Sequence, residues 1–219
     1  MPRLFADISI SLDGYAAGPD ATAEDPLGVG GEQLHDWVLP LKAWREPHGL
    51  EGGEESAESE AFERLQAAAG AEIMGRRMFS GGSGPWEDDP KANGWWGDEP
   101  PFRHHVFVLT HHERERLEMQ GGTTFHFITG GIESALEQAR AAASEKNVAI
   151  GGGADVIQQY LRAGLVDEFM IHVAPVFLGD GVRLFDPASA DQLPRVELLG
   201  TIDSPNVSHL RYRVVNRPA

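Results

Sequence analysis

Cysteine is absent from this chain. That excludes disulfide staples and thiolate metal sites, and it leaves the redox compartment unspecified. No apolar run reaches the roughly 18 residues that a membrane span needs. The N-terminus MPRLFADISI lacks the long apolar stretch and small-residue cleavage site of a signal peptide, so a cytoplasmic location is expected. Basic residues are few: 18 Lys and Arg stand against 34 Asp and Glu, a formal net charge of −16 with His neutral. This balance argues against nucleic acid and anionic membrane surfaces as partners. It also sets a condition, because an anionic ligand would need a local cluster of positive groups. Arg76-Arg77 offers one. Hydrophobic residues make up 41% of the 219, ample for one large core.

What is present is organised around residues 147–165, NVAIGGGADVIQQYLRAGL. Val148, Ala149 and Ile150 read as a strand buried on both faces. Gly151, Gly152 and Gly153 follow, and then Val156, Ile157, Tyr160 and Leu161 make one apolar helical stripe. Gly164 stands where a left-handed helix cap belongs, with Leu165 closing over it. A strand, a glycine turn and a helix start together favour an anion, since free N–H groups and the helix dipole point at one spot. A tight turn without a ligand is the plainer reading. The G-x-G-x-x-G fingerprint is not met, because Val156 stands three places after Gly153, so a doubly wound dinucleotide domain is not supported.

Leu4, Ala6, Ile8 and Ile10 alternate with Phe5, Asp7, Ser9 and Ser11, so residues 3–11 read as a strand. The turn-rich SLDGYAAGPD comes next, and residues 20–31 read as loop. Leu34, Trp37, Val38 and Leu41 share one face of a helix over 33–44, which Pro40 should kink or break. Residues 46–60, rich in Gly and Glu, form a solvated excursion within the domain. A helix over 59–69 leads into a buried strand, 71–74, and Gly75-Arg76-Arg77-Met78-Phe79 opens a further helix or turn. A second excursion, 81–103, carries Trp86, Trp95 and Trp96, and should fold onto the body or wall a pocket. Strands are expected at 106–109 and 124–128, a helix at 132–143, and strands at 168–173, 175–178 and 182–185. A hairpin of 195–202 with 208–215 follows. The order predicts a single α/β domain over 1–219, its central sheet mixed but mostly parallel and finished by antiparallel C-terminal strands. His104, His105, His111 and His112 bracket one strand and His126 lies on the next. Adjacent strand residues face opposite ways, so no metal site is expected.

Four segments, SLDGYAAG, MGRRMF, FVLTHH, and AIGGGADVIQQYL before LVDEFMIHVAPVFLGDGVRLF, resemble in this order the dihydrofolate reductase superfold. Within it they resemble the family related to the C-terminal reductase domain of bifunctional riboflavin-biosynthesis proteins. The resemblance covers roughly residues 3–186 and implies a dihydrofolate reductase-like three-layer fold with NADPH as cofactor. In dihydrofolate reductases a Gly-Arg pair, and a Ser or Thr after the next strand, hold the adenosine 2′-phosphate. The matching positions are Gly75, Arg76, Arg77, Leu109, Thr110 and His111, and a guanidinium with a hydroxyl suits a phosphate dianion. Gly151, Gly152, Gly153, Ala154 and Asp155 would carry the pyrophosphate. Asp155 can cap its helix or, turned inward, repel a phosphate. Leu12 and Ala17 would give the nicotinamide close apolar contact.

Hydride transfer to C=N or C=O calls for a nearby proton source and a dry, aromatic-walled slot. The resemblance implies an acid on the first helix, for which Asp36 is the candidate and a surface carboxylate the plainer reading. Asp13 can relay a proton, orient its loop, or cap the turn through backbone N–H groups. Riboflavin-pathway reductases usually carry a lysine after the Asp-Gly of the first loop and a glutamate before the later Gly-Gly. This chain has Tyr15 and Gly151 there. Both departures, with no deaminase domain in the sequence, argue against a ribosylaminopyrimidine substrate. The reading is an NADPH-dependent reductase of a small pterin-like or flavin-like ring. A catalytically silent nucleotide-binding or scaffold protein of the same fold is the alternative, and a true dihydrofolate reductase a third. The resemblance also implies a homodimer, formed through an apolar edge at 173–178.

Overall fold

Six runs rich in Val, Ile, Ala and Phe lie side by side and parallel, and that sheet decides where everything else goes. The computed structural model describes residues 2–185 and 192–216. Residues 1, 186–191 and 217–219 of the expected domain lie outside them. The strands are β1 (Leu4–Ile10), β2 (Tyr15–Ala17), β3 (Ala69–Gly75), β4 (His105–Leu109), β5 (Leu117–Glu118) and β6 (Thr124–Ile128). After them come β7 (Asn147–Gly152), β8 (Glu168–Val173), β9 (Val182–Arg183), β10 (Arg195–Asp203) and β11 (Ser208–Asn216). The main sheet runs in the order β10-β11-β8-β1-β7-β3-β4-β6-β5. From β8 to β6 every pairing is parallel, while β11, β10 and β5 join antiparallel. This is the mixed, mostly parallel sheet that the sequence predicts.

The helices are α1 (Lys42–Arg45), α2 (Ala57–Ala68), α3 (Arg76–Ser80), α4 (Gly131–Ala143) and α5 (Ala154–Arg162). The sheet face bearing Leu4, Ala6, Ile73, Phe107 and Ile150 is covered by α4 and α5 in one apolar cluster. Val156, Ile157, Tyr160 and Leu161 are the buried stripe of α5, and its end is closed as expected. Gly164 has φ 65°, its N–H donates to Leu161 O at 3.0 Å, and the Leu165 N–H donates to Tyr160 O at 3.0 Å, which satisfies two orphan carbonyls of the last turn. On the other face, Phe79 of α3 packs with Met74, Val106, Val108 and Phe125. Trp86, Trp96 and Phe102 fold onto that cluster, so the 81–103 excursion is a wall of the body. The result is helix, sheet and helix-plus-aromatic wall: three layers.

Several local expectations change. Residues 33–44 do not form one helix: a short 3-10 helix, Gly31–His35, is followed by turns and then α1. Pro40 lacks the donor that a continuous helix needs, and Trp37, Val38 and Leu41 instead pack with Val207 as a separate cluster. Helix α2 starts two residues earlier than expected, because the Ser56 hydroxyl accepts the Ser59 N–H at 3.1 Å and caps it. Part of the 46–60 excursion is itself a 3-10 turn, Glu46–His48. Residues 175–178 form no strand, and 182–185 shrinks to β9, which pairs with β2 in a region expected to be loop. Val173 is paired on both sides, with Ile10 and with Ser208, so the expected free edge at 173–178 is not one.

Candidate functional site

The loops after β1, β3, β4 and β7 all leave at the carboxyl edge of the sheet, and register aligns them there. Gly75 pairs with Leu109, Leu109 with Ile128, and Met74 with Gly152. A methyl group added to Gly75 would lie 3.0 Å from Val156 Cγ2 and 3.9 Å from Gly153 N. The glycine turn and the Gly-Arg turn are therefore immediate neighbours. Gly152 has φ 137°, a conformation L side chains rarely adopt. Around Gly153 a methyl would meet nothing within 4 Å, so that side of the turn is open. Gly153 O accepts Val156 N–H at 3.0 Å and Ile157 N–H at 3.2 Å. The N–H groups of Ala154 and Asp155 are left without acceptors inside the helix, at the positive end of its dipole. Ala154 is buried and Asp155 exposed.

Loop 11–18 is held in place by Asp13. Its carboxylate accepts the Ser11 hydroxyl at 2.5 Å, Gly179 N–H at 2.7 Å and Leu178 N–H at 3.2 Å. The Ser11 hydroxyl foremost, then these amides against some opposing desolvation, hold its pKa at about 2. A carboxylate engaged in this way caps the turn and ties the loop down, the structural one of the three roles read for Asp13. Leu12 is left 53% exposed while its N–H donates to Val176 O at 2.8 Å; Ala17 pairs with Val182. Tyr15 is buried, and the Arg183 guanidinium lies 4.2 Å from its ring centre, donating to Tyr15 Oη and to Asp13 O at 2.9 Å each.

The arginine pair is split. Arg77 is exposed, but Arg76 turns into the protein with only 6% of its side chain exposed. There it meets Asp89 Oδ2 at 2.5 Å and Ser80 Oγ, and its guanidinium carbon stands 3.4 Å from the Trp86 ring centre. Burial raises the Asp89 pKa, yet Ser80, the Lys91 N–H and Arg76 together hold it below the usual carboxylate value. Sequence reading gave Arg76 to a phosphate; the structure gives it to Asp89. Thr110 is buried, donates its N–H to Ile128 O at 3.1 Å and accepts His112 N–H at 3.2 Å, while His111 is exposed and Leu109 half-buried. Asp36 is exposed at the end of the 3-10 helix, so the catalytic candidate there is a surface carboxylate.

The acid that does turn inward from the first long helix is Glu58, and it belongs to a chain missed in the sequence. Asp7 bonds His172 Nε2, His172 Nδ1 lies 2.5 Å from His209 Nδ1, and His209 Nε2 lies 2.8 Å from Glu58 Oε1. Trp37 covers both imidazoles, with ring centres 4.6 and 4.9 Å away, and donates to Ser9 Oγ at 3.1 Å. Burial first, then His172, lowers the His209 pKa, against the opposing Glu58 carboxylate. An alternation reading places Asp7, His172 and His209 on strands, but not on neighbouring ones. Among the described residues no group of three or more His, Cys, Asp or Glu is arranged to hold a metal ion. His104 and His105 do point opposite ways, toward Glu72 at 3.8 Å and His126 at 2.9 Å. Glu72 was also missed; an acid within the apolar run 71–74 was its signal.

The RibD C-terminal domain family model matches residues 2–210. A Bacillus subtilis (strain 168) protein, YwjB, itself uncharacterized, is 33% identical over 66 residues, 30% of this chain and 37% of that protein's length. A crystal structure from Shewanella sp. PV-4, ascribed to riboflavin biosynthesis, superposes with a TM-score of 0.63 at 19% identity, covering 98% of this chain and 99% of that one. A Thermotoga maritima diaminohydroxyphosphoribosylaminopyrimidine deaminase/5-amino-6-(5-phosphoribosylamino)uracil reductase superposes with a TM-score of 0.56 at 13% identity, covering 98% of this chain and 57% of that one.

Proposed function

This chain belongs to the RibD C-terminal domain family, and from that premise we propose a pyridine-dinucleotide-dependent reductase of a small heteroaromatic ring, with NADPH as its donor. One observation carries the proposal: the open turn at Gly153 faces two unpartnered helix-start amides at the carboxyl edge of the sheet. That arrangement fits a pyrophosphate. Arg77 and His111, both exposed, with Thr110, would hold the 2′-phosphate side without Arg76. Leu12 and Ala17 would lie against the nicotinamide. When bound, the dinucleotide supplies a hydride.

The acceptor is a pterin-, flavin- or pyrimidine-like ring. Where riboflavin-pathway reductases carry a lysine and a glutamate, Tyr15 has the Arg183 guanidinium over its ring. The Glu72 carboxyl likewise sits where a side chain on Gly151 would begin. A cation and an acid thus occupy those two places from other strands, which weakens the argument against a pyrimidine. Among the described residues no helix is long and apolar enough to cross a membrane, and a cytoplasmic location is part of the proposal. So is a homodimer, for which the exposed Val196 and Leu198 of edge strand β10 are the support; a monomer in solution scattering would remove it.

Tryptophan fluorescence titrations with NADPH, NADP and NADH test the cofactor. Tighter binding of the phosphorylated pair is expected, and equal, millimolar binding of all three would sink it. Loss of NADPH absorbance against dihydrofolate, flavins and 5-amino-6-(5-phosphoribosylamino)uracil tests turnover. The locked Arg76 favours a second reading, a binding protein without turnover, which tight binding with no absorbance loss would select.

A further inference from the structure

Glu72 lies on β3, on the sheet face that carries Met74 and Val106, and is 7% exposed. Its Oε1 takes the space where a side chain on Gly151 would start, since a methyl there would fall 2.0 Å from it. The first glycine of the turn is thus required by a neighbouring carboxyl. Oε2 stands 3.8 Å from His104 Nε2, beyond hydrogen-bond length, and that nitrogen is buried with no hydrogen-bond partner. His104 in turn lines an open cavity of about 690 Å³ at the amino edge, with Gly70, Phe102, Arg103 and Ser144. The carboxyl therefore has the glycine turn on one side and, through one imidazole, water on the other.

We propose that Glu72 is the proton donor of the reduction and that His104 reloads it from the cavity. This rests on the reductase reading above. The carbon of a substrate C=N bond accepts the hydride, the C=N electron pair moves onto nitrogen, and nitrogen takes the Glu72 proton. The carboxylate left behind regains one proton from water through His104, so one hydride and one proton are consumed per C=N reduced. Burial foremost raises the Glu72 pKa; His104 opposes it, and the nearby Asp7 carboxylate adds a smaller push upward, so the carboxyl's protonated form is favoured relative to a free glutamate. Among the described residues those two are the charged neighbours facing it, since Gly151 and Met78 bring none. Met78 Cε lies 3.4 Å from the Gly151 methyl position, and a flexible thioether is a cover that can swing aside.

Infrared spectra at neutral pH should contain a protonated-carboxyl band that Glu72→Gln removes. Glu72→Gln should also lower kcat about 100-fold or more on whichever ring the wild type reduces, erase the fall in rate at high pH, and leave NADPH affinity unchanged. His104→Ala should be slow and be restored by imidazole in the buffer, which the cavity admits. No band in an active wild type, or wild-type kcat in Glu72→Gln, overturns the proposal. A band with a wild type inert toward every ring overturns it through the reductase reading, so the two failures are told apart. If Glu72→Gln does not fold, imidazole rescue decides alone, and its failure overturns the proposal.

Discussion

Two helices begin side by side at the carboxyl edge of the sheet, and they meet an anion very differently. Helix α3 opens with a cation, Arg76, yet offers it to nothing outside, because Asp89, Ser80 and Trp86 enclose it. Helix α5 opens with glycine and alanine, has no side-chain cap, and leaves its amides free. A long charged side chain can be captured by its own protein. A backbone amide at a helix start cannot turn away. In a chain of net charge −16, the dependable positive site is the one made of main chain.

Removing Asp89 should break this contrast most severely. Asp89→Ala strands a buried guanidinium, and unfolding experiments should show a loss of about 3–5 kcal/mol. Gly151→Ala should come next, since its methyl meets Glu72 at 2.0 Å; overpacking of this kind costs roughly 1–3 kcal/mol. Its neighbour sharpens the comparison. Gly153→Ala meets nothing within 4 Å, so stability should hold while dinucleotide affinity falls about tenfold, or 1.4 kcal/mol. An unchanged affinity would remove the anion role of the turn. Arg77→Ala should weaken NADPH more than NADH by about 1.5–3 kcal/mol, the worth of a charged hydrogen bond. Arg76→Ala should show no such preference.

The smallest effect is on pH. Burial lowers the pKa of His35, His126 and His209 as the leading cause in each. The folded protein therefore binds fewer protons there than the unfolded chain. The stability concerned is present above the unfolded value of about 6.5 and is lost as pH falls below it. Unfolding midpoints measured from pH 7 downward should decline, and His209→Gln should flatten the decline.

These contrasts also show what a sequence can display. The strands at 124–128 and 168–173, the hairpin, the glycine turn and the Gly164 cap were legible, because period, glycine and turn residues are local signals. The direction of Arg76 was not, because its partner Asp89 lies in a segment with no regular pattern. The helix expected to carry Asp36 does not form, because Pro40 ends the first apolar stripe and only a short 3-10 helix remains. The His172 and His209 contact needed the β8 and β11 pairing, which only the folded sheet supplies.

Asp89 fastens the tryptophan segment to the first residue of α3 by a bond shut away from water. Prising that segment up would leave a bare cation in a greasy shell, so the wall stays closed on the body. Leu12 and Phe177 have no such fastening: they stand 53% and 75% in solvent, and apolar surface of that kind gains by being covered.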